Sequence, residues 1–373
     1  MNIETFNVER WMNTYENDAV YNLAETDAKP FTLAELLHIG DFEELKKQLL
    51  EIKLSYNPTT GSSKLREVIA SLYDNTRPEN VLVTTGAIEA DFHITNSLVE
   101  PGDTVIVQFP AYQALYSTAK ARGANVKYWH MKLENDFEPD LNELFELVDD
   151  KTKLMVLNIP HNPTGAVISK AQLKTILGWA EEKNFYVLCD EVYHEFKLNN
   201  GIIPPYGRSL SPNAVSVGSM SKAYGLSGLR LGWIVGPVDL VNKCWSWKDY
   251  TSISNAPIND FLASFALVNR PKVMERNLAI ASKNFTTLVE WFKQHEQFFD
   301  YVVPKAGVLC FPKIRNLPVT SEELCKRIFY ERKLLIVPGE CFEMPGHLRI
   351  GFGNDSNMFE TGLGILSDYI KHL

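Results

Sequence analysis

Short apolar runs rich in β-branched residues, each followed by a longer charged stretch with helical spacing, recur through the first two thirds of the chain. No other feature narrows the fold as much. Val81–Thr84, Thr104–Gln108, Lys127–His130, Leu154–Asn158, Phe185–Cys189 and Val215–Val217 read as strands. Ser63–Asn75, Ile88–Val99, Ala111–Arg122, Asp140–Glu146 and Lys170–Lys183 read as helices, several of them after Gly or Pro at the preceding strand end. Strand and helix in alternation predict an α/β fold: a three-layer α/β/α unit whose mixed sheet is mostly parallel and covered on both faces.

After about Trp247 the rhythm changes. Ala256–Glu296 reads as largely helical, and strand candidates follow at Tyr301–Val303, Leu335–Pro338 and His347–Gly351. The 373 residues exceed the needs of one small domain, so the expected organisation is an N-terminal arm (1–40), a large ligand-binding domain (41–265) and a small C-terminal α+β domain (266–373) that shares the arm. A formal net charge of -9 repels phosphate backbones and anionic lipid, which argues against nucleic-acid and membrane partners. The five cysteines are scattered with no CxxC pair, the pattern of a reducing, cytoplasmic setting without structural zinc or other metal. Met1–Thr14 is charged, and no stretch reaches the roughly 18 apolar residues of a membrane span.

Chemistry concentrates at the strand ends. After Ala214–Val217, the segment Ser219–Trp233 (SMSKAYGLSGLRLGW) crowds Ser219, Ser221, Lys222 and Arg230 among glycines. Serine and arginine suit a phosphate, and a lysine beside it suits imine formation; a solvated, turn-rich loop explains the same string. Val187–Tyr193 sets Asp190 and Tyr193 at the sheet's carboxyl edge, where a buried carboxylate pairs with a pyridinium nitrogen or, more simply, caps a helix. Asn162 projects from the proline turn Asn158–Gly165, Gly86-Ala87-Ile88 opens a helix whose free amides suit an anion, and Tyr112 offers a stacking face.

In this order the motifs resemble the fold-type I pyridoxal-phosphate enzymes, specifically the class I/II aminotransferases, from about Tyr56 to Arg349. The resemblance implies pyridoxal 5'-phosphate as cofactor and Lys222 as its Schiff-base lysine and proton carrier. It implies Asp190 at the ring nitrogen, Tyr193 and Asn162 at the ring oxygen, and Tyr112 stacked on the ring. Gly86, Ala87, Ile88, Ser219, Ser221 and Arg230 then form the phosphate cup, and Tyr56 reaches the phosphate of a neighbouring subunit, which makes the active unit a homodimer. Arg349, with Asn162, would clamp the substrate carboxylate. The implied reaction moves an amino group between an L-amino acid and a 2-oxo acid.

One segment departs from the family pattern. Leu23–Pro30 carries Glu25 and Asp27 where an apolar or glycine-containing turn is usual. The two acids either attract a cationic substrate side chain, as in the capreomycidine-synthase-like branch that acts on arginine-derived amino acids, or are solvated capping residues ahead of Phe31–Leu37. A C–S β-lyase or such a cyclase is the alternative reaction. A non-catalytic regulator is a remote reading, because regulators of this fold carry a preceding helix-turn-helix.

Overall fold

The computed structural model describes residues 2–198, 201–316 and 318–373. Seven strands form its central sheet: β1 (Val81–Thr84), β2 (Thr104–Phe109), β3 (Asn125–His130), β4 (Thr152–Asn158), β5 (Tyr186–Asp190), β6 (Ala214–Ser219) and β7 (Gly232–Val235). Their order is β1-β7-β6-β5-β4-β2-β3, and β7 alone runs against its neighbours. The sheet is the mixed, mostly parallel one expected, with every expected strand of this region present. Strand β7 was missed, since its first residues were read as part of the glycine-rich loop.

Alternate strand residues feed two cores. Val81, Val83, Ile106, Met155, Leu157, Val187 and Trp233 belong to one cluster. Leu82, Val105, Val107, Leu154, Val156, Leu188 and Ile234 belong to the other. Strands buried on both faces read as continuous apolar runs, and so these were legible in sequence. Each fully buried Val, Leu or Ile contributes about 1.5–3 kcal/mol relative to exposure.

Local chemistry sets the helix bounds. The helix Lys170–Lys183 matches its expected range because Ser169 and Gln172 form a reciprocal capping box, while Asn184 turns left-handed at φ 56° to end it. The expected helix over Ser63–Asn75 stops at Ala70, and the residues beyond form turns that include a left-handed Asn75. The helix expected from Ala111 begins at Ala114. Ala256–Glu296 splits into helices Pro257–Val268 and Arg270–Gln294.

The expected strand Tyr301–Val303 is not formed. Phe299–Asp300 pairs with Lys313–Ile314 instead, Tyr301 stacks on Phe292 with ring centroids 4.2 Å apart, and Pro304 has no N–H for a ladder. At the start of the chain, Asn7–Tyr15 forms a helix, α1, which buries Val8, Trp11 and Tyr15. Among the described residues no helix is long and apolar enough to cross a membrane.

The segment after α1 threads back to the C-terminal third. Tyr21–Asn22 pairs in parallel with Leu334–Leu335, and the Gly351 amide donates to the Leu23 carbonyl at 2.7 Å. A Cβ on Gly351 would sit 1.7 Å from the Glu25 carbonyl oxygen, so only glycine lets the two backbones approach this closely. Further along, the Ala28 amide donates to the Lys222 carbonyl at 2.9 Å. This close fit brings residues 24–28 over the end of the sheet. Gly351→Ala is expected to destabilise the protein by about 1–3 kcal/mol through overpacking. An unchanged urea midpoint would contradict it.

Candidate active site

The carboxyl ends of β1, β2, β4, β5 and β6, with the start of the reversed β7, meet at one edge of the sheet. A cavity of about 660 Å³ opens there, lined by Ala87, Ile88, Tyr112, Asn162, Asp190, Tyr193, Ser219, Ser221, Lys222, Arg230 and Arg349. These are expected site residues drawn from six separate motifs. Gly86 lies just behind as the residue before helix α2 (Ala87–Leu98), at φ 79°. Tyr56 is 85% exposed and does not reach the cavity of its own chain.

Parallel register places the central pair. Asp190 ends β5 opposite Val217 of β6, and Lys222 follows three residues after β6 ends. Lys222 Nζ donates to Thr26 Oγ1 at 3.3 Å, and the Tyr193 hydroxyl donates to the same oxygen at 2.9 Å. Asp190 is buried, and its Oδ1 accepts the Val192 amide at 3.2 Å. It ends in a turn rather than a helix, so helix capping is not its role. Burial pushes its carboxyl up to about 7, against the pull of the Val192 amide and the Lys222 charge.

Beside this pair stands an anion pocket. The amides of Ala87 and Ile88 open α2, where the helix leaves its first N–H groups free. Arg230 reaches over them: a Cβ on Gly86 would come within 2.7 Å of its guanidinium. Arg230 also donates to Ser221 Oγ at 3.4 Å, and Ser219 Oγ accepts the Ser221 amide at 3.3 Å.

On the opposite side, Arg349 is 4% exposed on the strand Leu348–Gly351. It donates to the Ala24 carbonyl at 2.9 Å, yet its Nε is buried without a partner and no described carboxylate pairs with it. A buried guanidinium left like this favours an anion. Asn162 is similar: its amide N–H donates to Asn158 Oδ1 at 2.6 Å, whereas its own Oδ1 is buried and unpaired.

Several lining residues were not singled out in the sequence. Thr26 joins Lys222 to Tyr193 from 196 and 167 residues away in the chain, and Asn158 ties Asn162 to the Asp190 carbonyl at 3.0 Å. Glu9 and Glu16 come from α1 and the turn after it, and Asp91 from the second turn of α2. Glu25 and Asp27 also face the cavity. The capping explanation for those two acids fails, because Thr32 and Glu35 cap the short helix Leu33–Leu37. Burial, joined by the Asp27 charge, raises Glu25, and burial raises Asp27 against the pull of Lys222.

The donor set fits pyridoxal phosphate with an amino acid: an amine for the aldehyde, a buried acid for a ring nitrogen, an anion pocket for the phosphate and an unpaired guanidinium for a carboxylate. Residues 43–364 match the profile of the class I and II aminotransferases. The chain is 30% identical to capreomycidine synthase of Streptomyces vinaceus over 97% of its own length and 92% of that protein. It superposes with a TM-score of 0.95 on a PLP-dependent aminotransferase from Streptococcus suis, 33% identical and covering 100% of this chain and 99% of that one. The PLP-dependent cyclase OrfR superposes with a TM-score of 0.92 at 26% identity, over 100% and 98% of the two chains.

Behind the site, Glu191 accepts the Gly207 amide at 2.7 Å, its Oε2 is unpaired, and burial pushes it up to about 8. A carboxyl raised on folding costs nothing while neutral. Its stabilising share is present below the unfolded value, about 4, and is lost as pH rises through the folded one. The thermal midpoint of the cofactor-free protein is therefore expected to fall from about pH 6 to 9, and Glu191→Gln to remove part of that fall. Identical profiles for the two proteins would contradict this.

Proposed function

Because the chain belongs to the class I and II aminotransferases, a family of pyridoxal-phosphate-dependent enzymes, we propose that it moves an amino group between an L-amino acid and a 2-oxo acid in this cavity. The observation that carries the reading is the meeting of Lys222, Asp190 and the unpaired Arg349 around one space. Bound pyridoxal phosphate supplies an electron sink that makes a bond to Cα of the amino acid easier to break.

The chain's own residues do the rest. Arg349 binds the substrate carboxylate through its fork, with Asn162 beside it, and so fixes which Cα bond faces the sink. Lys222 Nζ, steadied by Thr26, would take the proton from Cα and deliver it to the cofactor's C4′, as amino transfer requires. Asp190 holds the ring nitrogen protonated, and Tyr193 and Asn162 donate to the ring oxygen. Ser219, Ser221, Arg230 and the α2 amides hold the phosphate. A second copy of the chain completes the site by bringing in its Tyr56, which stands exposed here beside exposed Leu54.

A second reading concerns the substrate side chain. Glu9, Glu16, Glu25 and Asp27 all face the cavity, and Asp27 Oδ1 is buried without a partner. Such a rim favours a guanidinium or ammonium group, in line with the similarity to capreomycidine synthase and to a cyclase. Cyclisation of an arginine-derived amino acid is the alternative outcome at the same residues.

Lys222→Ala is expected to lower turnover by roughly 10²–10⁴-fold or more, the usual share of a positioned proton-transfer group. Arg349→Ala is expected mainly to raise KM for the amino acid. A Lys222→Ala protein with full activity would overturn the assignment. Product analysis separates the reactions: a new amino acid and 2-oxo acid for transamination, pyruvate and ammonia for a β-lyase, a ring for a cyclase. Arginine and ornithine are expected to outperform alanine, aspartate and aromatic amino acids, and Asp27→Asn to erase most of that preference. Equal use of all of them would sink the cationic reading.

A further inference from the structure

Asp91 has no part in the mechanism above, yet it is among the least expected residues to find where it is. It lies one helical turn beyond the opening of α2, is 5% exposed, and faces the same cavity as Asp190, Ala87 and Ile88. Its Oδ1 is buried without a hydrogen-bond partner, and neither carboxyl oxygen takes a hydrogen bond or ion pair from a described residue. A carboxylate in that setting would lack the hydrogen bonds and the paired cation that keep buried charges charged. Asp190 differs from it in both respects, since it accepts the Val192 amide and faces the Lys222 ammonium.

We infer that Asp91 is a positioning residue for the cofactor ring: it remains a neutral carboxylic acid beside Asp190 and turns its O–H toward that carboxylate, so that Asp190 alone carries the charge offered to the ring nitrogen. The inference rests on the proposed place of Asp190 at that nitrogen. Two further points support it. Burial and the Asp190 charge both push Asp91 well above the usual carboxylate range, and no cation offsets them. Two buried acids that line one cavity and feel each other's charge hold one proton between them, and it stays on the member without a cation.

A protonated Asp91 has two consequences. It leaves one negative charge for one pyridinium, so the bound pair is neutral overall in a water-poor space, whereas a second ionised acid would add an uncompensated charge. It also provides an O–H donor to Asp190, which limits how that carboxylate rotates.

The test uses the full-length protein stripped of cofactor and titrated with pyridoxal phosphate, alongside its infrared spectrum at neutral pH. Asp91→Asn, neutral and still a donor, is expected to keep cofactor affinity within about threefold, whereas Asp91→Leu, which has no donor, is expected to weaken it roughly tenfold or more. The protonated-carboxyl infrared band of the unaltered protein is expected to shrink in Asp91→Asn. An equal loss of affinity in both variants would show that the Asp91 charge matters and would overturn the inference, as would unaltered affinity in Asp91→Leu. If Asp91→Leu does not fold, the infrared band decides: one that Asp91→Asn leaves intact overturns the inference. Failure of the unaltered protein to bind pyridoxal phosphate would instead remove the underlying reading and the inference with it.

Discussion

The parallel pairing of β5 with β6 places an acid and an amine at the same edge of the sheet, and the rest of the site is arranged around that pair. Asp190 is the last residue of β5 and Lys222 follows β6, so the register Asp190 to Val217 sets their relative height. A one-residue slip would send the strand's side chains to the opposite face and take Asp190 away from the cavity. The reversed strand β7 has a matching part: Gly232 lies against the backbone at Gly86, where a Cβ would come within 2.5 Å, and Arg230 just before it is thereby held over the opening of α2. A flat register on one side and a close backbone approach on the other thus fix an amine, an acid and an anion pocket together.

Nothing in the sheet supplies the front of the site. That comes from residues 23–28, which lie against Gly351 and Gly353 and reach Lys222 through the Ala28 amide and the Thr26 hydroxyl. The same contact orients Arg349, whose guanidinium donates to the Ala24 carbonyl. The segment that departs from the family pattern is thus the one that touches Lys222, Arg349 and the acidic rim at once.

Much of this was legible in sequence, for a physical reason. Strands buried on both faces are unbroken apolar runs, the capping box at Ser169 marks its helix, and the residues after each strand end carry the polar groups. The legible features are local ones. Thr26 escaped because its importance comes from contacts with Tyr193 and Lys222, distant in the chain, and a lone threonine between two acids gives no signal of them. Strand β7 escaped because its glycine, needed for close approach, looks like loop punctuation. Tyr301–Val303 misled because an apolar run next to a proline packs aromatic rings as readily as it joins a ladder. Glu25 and Asp27 carried two meanings in sequence, and only the observed cap at Thr32 and Glu35 removed one of them.

The most direct test of the central claim is the near-ultraviolet and visible absorbance of the protein with pyridoxal phosphate, before and after amino acids are added without a 2-oxo acid. The account predicts an imine band that depends on Lys222 and gives way to the shorter-wavelength pyridoxamine form when the right amino acid is present. An imine band that is unchanged in Lys222→Ala, or no band at all with pyridoxal phosphate in excess, would contradict it.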